Sequence, residues 1–310
     1  MKRKLAIKQL VNKTTKAGNN NVAGYLFILP WIIGFISFMV IPMAVSLYTS
    51  FTDYDMVSSA NWIGLKNYIK IFTNDSTFWD SIKVTFFYTF VSVPLRLSFA
   101  LLLAVLFNQK RKFVGVYRTI FYIPSIIGGS VAVAVMWRQL FGVDGALNSL
   151  LAMLGMQSRV GWIGNPKTAL WTLIILAAWQ FGSPMLIFLA GLKQIPNSLY
   201  EAAVIDGSNW WQKFTKITLP MLSPVIFFNL VMQTISGFMM FTQAYIITGG
   251  GPFDRTLVYA LYLFRRAFVY YDMGYASALA WVLLMVVAVI TLIIFKTAPR
   301  WVYYESEGEF

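Results

Sequence analysis

Long runs without a single charged side chain dominate this sequence. Residues 17–52 carry none, and neither do 168–192 (25 residues), 217–253 or 273–295 (23 residues). Two further apolar stretches, roughly 84–107 and 119–141, are interrupted only by Arg96 and Arg138. About 20 apolar residues in helical conformation cross a hydrocarbon layer, so the runs predict six transmembrane helices. Helices are expected rather than strands because each run is continuous instead of alternating, and lipid offers no partner to an open sheet edge. The expected spans are roughly 24–51, 84–107, 119–141, 168–192, 217–248 and 273–295, within one all-α integral membrane domain, 1–310. The first run is too long for the apolar core of a cleaved signal peptide and is expected to be retained.

Composition supports this class and removes others. Hydrophobic residues make up 58% of the chain and charged residues 12%, where soluble domains hold about 25% charged. There is no His and no Cys, so imidazole catalysis, thiolate chemistry and disulfides are excluded. The net charge of +13 could suggest nucleic acid, but the bases form no stripe, and no nucleic-acid partner is expected. Their placement reads instead as topology. Six of them lie in the first 16 residues, and the tails with the 108–118 and 193–216 loops hold 15 in all. The 53–83, 142–167 and 250–272 loops hold 8. Lys and Arg stay on the cytoplasmic side, so the basic tail 1–23, the 193–216 loop and the C-terminus are expected inside.

The spans contain no Asp or Glu. A carrier that moves protons normally needs a carboxylate or imidazole at membrane depth, so energy is expected from another chain. Arg96 is the exception in the second span, either as a partner for backbone carbonyls or a neighbouring subunit, or as part of a substrate path. Arg138 can snorkel to a helix end. Two spans carry polar faces. Trp179, Gln180 and Ser183 share one; Gln233, Ser236, Gly237 and Met240 fall at i, i+3, i+4 and i+7 on another. Ordinary helix packing is one reading, since small and amide residues act as glue. The other is a neutral, hydroxyl-rich ligand, with amides bonding hydroxyls and aromatic faces covering a sugar ring.

The 193–216 loop is expected to form two short helices. Ser198 and Glu201 read as a capping box, Gly207 as a left-handed stop, and Ser208 as the cap of the second helix. Tyr200, Ala202, Ala203, Ile205 and Trp210 would give it an apolar surface suited to docking a partner.

That loop also carries a resemblance. Glu201-Ala202-Ala203, Gly207 ten residues before Ile217, and Leu219-Pro220 resemble the EAA motif of ATP-binding-cassette importer permeases. So do Phe51-Thr52-Asp53-Tyr54, Gly64-Leu65-Lys66-Asn67-Tyr68, Tyr117-Arg118-Thr119-Ile120-Phe121, Ala190-Gly191-Leu192-Lys193, Thr248-Gly249-Gly250-Gly251-Pro252 and Gly274-Tyr275-Ala276-Ser277-Ala278. The chain is similar to the carbohydrate-uptake branch, to the larger-subunit type of the maltose system, and to glycerol-phosphate permeases. The resemblance implies a type I importer half in a bacterial or archaeal cytoplasmic membrane. It would pair with a second permease and be driven by two ATPase subunits that bind ATP and Mg. An extracellular solute-binding protein would supply the sugar. Leu199, Glu201, Ala202, Ala203, Asp206 and Gly207 would seat the loop on the ATPase. Trp179, Gln180, Ser183, Gln233, Ser236, Gly237 and Met240 would line the sugar site, with Gly237 and Met240 where amides would be expected. No G-x-x-x-x-G-K-[ST] phosphate loop occurs, so the chain itself is expected to be no enzyme and to hold no cofactor or metal. Glycerol-phosphate import and, from another class, an ion-coupled carrier or channel are the alternatives.

Overall fold

A computed structural model describes residues 21–109, 112–155 and 161–303. Most of the basic tail (1–20), Lys110, Arg111 and Arg159 of the charge balance, and 304–310 lie outside the described residues. All regular structure in the described chain is helical, apart from one antiparallel bridge between Thr52 and Trp62. Five helices are long and apolar enough to cross a membrane, or six if one sharply bent pair counts as a span.

The first helix, α1 (Tyr25–Thr49), widens into a π-helical stretch at Ile36–Val40 just ahead of Pro42, which has no N–H to donate. None of it is buried by the rest of the chain, although Thr49 Oγ1 donates to Ser277 Oγ at 3.0 Å near its end. A short helix, α2 (Lys66–Thr73), follows, and then α3 (Ser76–Phe107), the longest at 32 residues. Asp75 caps α3 by accepting from Phe78 N at 2.9 Å.

The third apolar run departs from a straight span. Helices α4 (Val114–Ile127) and α5 (Val131–Leu140) meet at 97°. The elbow is Gly128-Gly129-Ser130, after Pro124, and Ser130 Oγ accepts from Val133 N at 3.3 Å to restart the helix. Glycines remove the helical bias and the serine caps, which is the physical reason for the bend. After α6 (Ala146–Met153), the fourth run also breaks, into α7 (Ala169–Trp179) and α8 (Gly182–Leu192). The 193–216 loop contributes α9 (Asn197–Ile205). Helix α10 (Trp210–Phe238) then starts ahead of the expected 217 and stops short of 248. Its continuation is a separate π-helical turn, Ala244–Thr248. An amphipathic helix, α11 (Tyr259–Phe268), and the last long helix, α12 (Met273–Thr297), complete the chain.

Two cores result. One, at the α3 N-terminal end, joins Phe78, Tyr259, Tyr262, Tyr275 and Leu279; the other, toward the 193–216 loop, joins Leu97, Ala100, Met185, Phe188 and Leu222. Glycine lets the second close tightly, since a Cβ at Gly191 would lie 2.8 Å from Leu222 Cδ1. At the first core, Asp75 is 7% exposed and accepts from the hydroxyls of both Tyr262 (α11) and Tyr275 (α12). Arg266 Nε donates to Tyr262 Oη at 2.8 Å. The same end is fastened by Asn67, whose amide donates to Ser50 and Thr52 carbonyls, both at 2.9 Å. Gly274 lies so close to this segment that a Cβ there would sit 2.2 Å from Thr52 O. Asn67, Thr52 and Gly274, noted above only as parts of motifs, thus form one joint.

Candidate functional site

Three helix breaks converge between the two cores. At the α7/α8 break Ala177 O keeps only a short-turn bond from Gln180 N at 3.2 Å, and Gln180 O faces Pro184, which has no N–H; backbone polar groups at membrane depth need partners. Each carbonyl gains a side-chain donor. Arg96 Nε donates to Ala177 O at 2.6 Å, and Ser125 Oγ donates to Gln180 O at 2.9 Å. At the α4/α5 elbow, Gln180 Nε2 donates to Gly128 O at 2.9 Å. A Cβ at Gly128 would stand 2.5 Å from Gln180 Cγ, so only glycine admits this approach. The third break, after Phe238, turns Met239 through Gln243 toward the same place.

The space enclosed is a cavity of about 240 Å³. Of the expected face, Gln180, Gln233, Ser236, Gly237 and Met240 line it; Trp179 and Ser183 do not. Trp179 packs on Trp137 with ring centroids 5.7 Å apart, and Ser183 lies exposed outside the cavity, its backbone N–H donating to Ser125 Oγ at 3.0 Å. Gly237 also serves packing, for a Cβ there would meet Thr89 Cγ2 at 2.8 Å. This face therefore both packs against α3 and lines the cavity. Arg96 holds Ala177 O, donates to Gln233 Oε1, and lines the cavity. Sequence reasoning missed Tyr88, Ser92, Thr242 and Gln243 in the lining. Tyr88, Ser92 and Arg96 recur at i, i+4 and i+8, a signal that was present; Thr242 and Gln243 depend on the break and had none.

The 193–216 loop forms the second feature. Helix α9 ends in a complete Schellman motif: Gly207, at φ +72°, donates to Val204 O at 3.0 Å, and Ser208 N donates to Ala203 O at 2.9 Å. The caps fall elsewhere than expected. Pro196 precedes α9, which leaves Ser198 inside its first turn with no capping bond, and Asn209 rather than Ser208 caps the next helix, in a reciprocal box with Gln212. Asparagine wins because its position, one residue later, aligns its carbonyl with Gln212 N at 2.9 Å. The surface also differs. Ala203 is buried and Tyr200 turns inward, its hydroxyl 2.9 Å from Thr218 Oγ1. Leu199, Glu201, Ala202, Asp206 and Gly207 stay exposed, beside Val204, Ile205, Trp210 and Trp211.

Residues 71–301 match the model of the binding-protein-dependent transport system inner membrane component family. The chain belongs to that family. Among similar proteins is a probable ABC transporter permease, YesP of Bacillus subtilis (strain 168), 59% identical over 96% of this chain and 97% of that one. The arabinooligosaccharides transport permease AraP of the same organism is 34% identical over 94% and 92%. The lactose transport permease LacF of Rhizobium radiobacter is 33% identical over 90% and 94%. A crystal structure of a bacterial ABC transporter involved in import of the acidic polysaccharide alginate aligns with TM-score 0.76 and 25% identity, over 93% of this chain and 99% of that one. This family member is thus a multi-pass permease component of an ABC importer, a transport subunit of the cytoplasmic membrane rather than an enzyme. Among its described residues, no group of three or more His, Cys, Asp or Glu could hold a metal ion.

Proposed function

We propose that this permease carries an oligosaccharide or related sugar inward, as one of two permease halves powered by ATP on separate ATPase chains. An extracellular solute-binding protein delivers the sugar. The observation that carries this reading is the cavity at the converging helix breaks, lined by Gln180, Gln233, Gln243, Ser92 and Ser236, in a member of a family whose named relatives transport sugars. Amides and hydroxyls bond sugar hydroxyls in either direction, while Met240 and Phe241 supply apolar floor. Sites for drug-sized ligands enclose roughly 300–1,000 Å³, so a cavity of about 240 Å³ supports one wall of a site that a second permease completes.

The exposed residues Leu199, Glu201, Ala202, Asp206 and Gly207 give the ATPase its docking surface, and Ala203 anchors α9 behind it. ATP and Mg then belong to the ATPase, whose closure rocks the two permease halves and exposes the site to each side in turn. The test is mass spectrometry of what co-purifies with the C-terminally tagged chain in mild detergent, followed by transport in liposomes. A second permease and an ATPase, with uptake that needs ATP, are the expected result. The chain alone, transporting without ATP, would refute the reading.

A further inference from the structure

Among the described residues, this wall of the cavity holds a cation with no counter-charge. Arg96 lies on α3 at membrane depth, where an arginine costs about 2.5–3.5 kcal/mol on insertion scales. Its guanidinium carries five N–H groups, of which one is given to Ala177 O and one to Gln233 Oε1, both neutral acceptors. The ion pairs among the described residues all lie elsewhere: Lys70–Asp272, Lys83–Asp80 and Arg265–Asp254. No Asp or Glu occurs from 81 to 143, from 145 to 200 or from 207 to 253, the segments that build the cavity. A structural peg for one carbonyl would not need a permanent charge; glutamine or serine would serve.

We infer that Arg96 is a specificity residue for a sugar bearing a carboxylate, a uronate unit, rather than for a wholly neutral one. This rests on the sugar-import reading above. The unspent N–H groups on the two terminal nitrogens suit an end-on pair of hydrogen bonds to one carboxylate. Charge also selects among anions. A single guanidinium balances one carboxylate, whereas a phosphate monoester near −2 would leave a net negative charge against this wall, which has no second cation. Arg96 already touches Gln233, so the bound carboxylate would fix the amide that faces the sugar hydroxyls.

The experiment uses the intact importer in its native host, with this gene deleted and then restored. Uptake is measured for neutral oligosaccharides, for uronate-bearing oligosaccharides, for the same uronates chemically reduced to neutral sugars, and for sugar phosphates. Expected is uptake of a uronate oligosaccharide that depends on this gene and exceeds that of its reduced form by about tenfold or more. R96Q should remove that preference while the co-purified complex keeps its yield, and R96K should keep part of it. Gene-dependent uptake of neutral sugars only, or a preference unchanged in R96Q, would overturn the inference and leave sugar import standing. Uptake confined to sugar phosphates would overturn the carboxylate assignment. Absence of gene-dependent uptake for every carbohydrate would sink the import reading itself. Loss of complex yield in R96Q and R96K together would make Arg96 a structural residue and overturn the specificity role.

Discussion

Single residues at this permease's joints have effects that can be worked out from what they touch. Burial opposes ionisation of Asp75, yet hydrogen bonds from Tyr262, Tyr275 and Phe78 N, with Arg266 nearby, hold its carboxyl below the ordinary range. Burial, and then the bond to Asp75, pushes the Tyr262 phenol up. A depressed carboxylate contributes stability that is fully present above its unfolded pKa of about 3.9 and is lost as pH falls through the folded value. The melting temperature should therefore be flat from neutral pH down to that region and fall below it, with the Asp75→Asn variant lacking the Asp75 share of the fall. Asp75→Ala removes the α3 cap and strands two tyrosine hydroxyls, which should cost roughly 2–4 kcal/mol. Thermal unfolding in detergent across pH measures both. At Gly237, an added methyl meets Thr89, whose buried Oγ1 has no hydrogen-bond partner among the described residues. Gly237→Ala should destabilise by about 1–3 kcal/mol, and Thr89→Ala in the same chain should return most of it. Additive losses in the double variant would contradict the close approach.

At the scale of elements, the decisive features are the ends and breaks of helices. Helix α9 closes on Gly207 at φ +72°, with no neighbour near enough to obstruct a Cβ. The penalty of a side chain there is backbone strain alone, roughly 1–2 kcal/mol, and asparagine tolerates the left-handed region best. ATPase co-purification and substrate-stimulated hydrolysis should rank Gly207→Asn above Gly207→Ala, with Gly207→Val lowest. Equal values for all three would remove α9's terminus from coupling. The elements also mark the boundary of what patterning can reveal. The position of each apolar run was legible because the bilayer demands about 20 uncharged residues in a row, whatever surrounds them. The elbow at Gly128-Gly129-Ser130 was written in recognisable breaker residues but masked by the apolar residues on both sides. The break at Gln180 carries breakers of its own, Gly182 and Pro184, the latter with no N–H for Gln180 O, but they sit inside an uncharged run and are masked in the same way; that the Gln180 side chain finds a carbonyl 52 residues away was not legible.

On the scale of the whole molecule, α1 has no buried face in its own chain and the cavity, at about 240 Å³, is smaller than sites for drug-sized ligands, both of which suit a subunit of a larger assembly. A liposome carrying the full complex should take up sugar only with ATP inside and binding protein outside, and removal of either should return uptake to background. Membrane class, helical architecture, the basic bias of the loops and the outline of the 193–216 loop were determined by the sequence alone, because composition and period are local quantities read against solvent or lipid. Tertiary structure decided which polar residues meet. Arg96 reaches Gln233 across 137 positions, and Asp75 reaches Tyr275 across 200. Such pairs are chosen by how helices break and pack, and close packing depends on every neighbour at once, so no run of residues along the chain encodes them by itself.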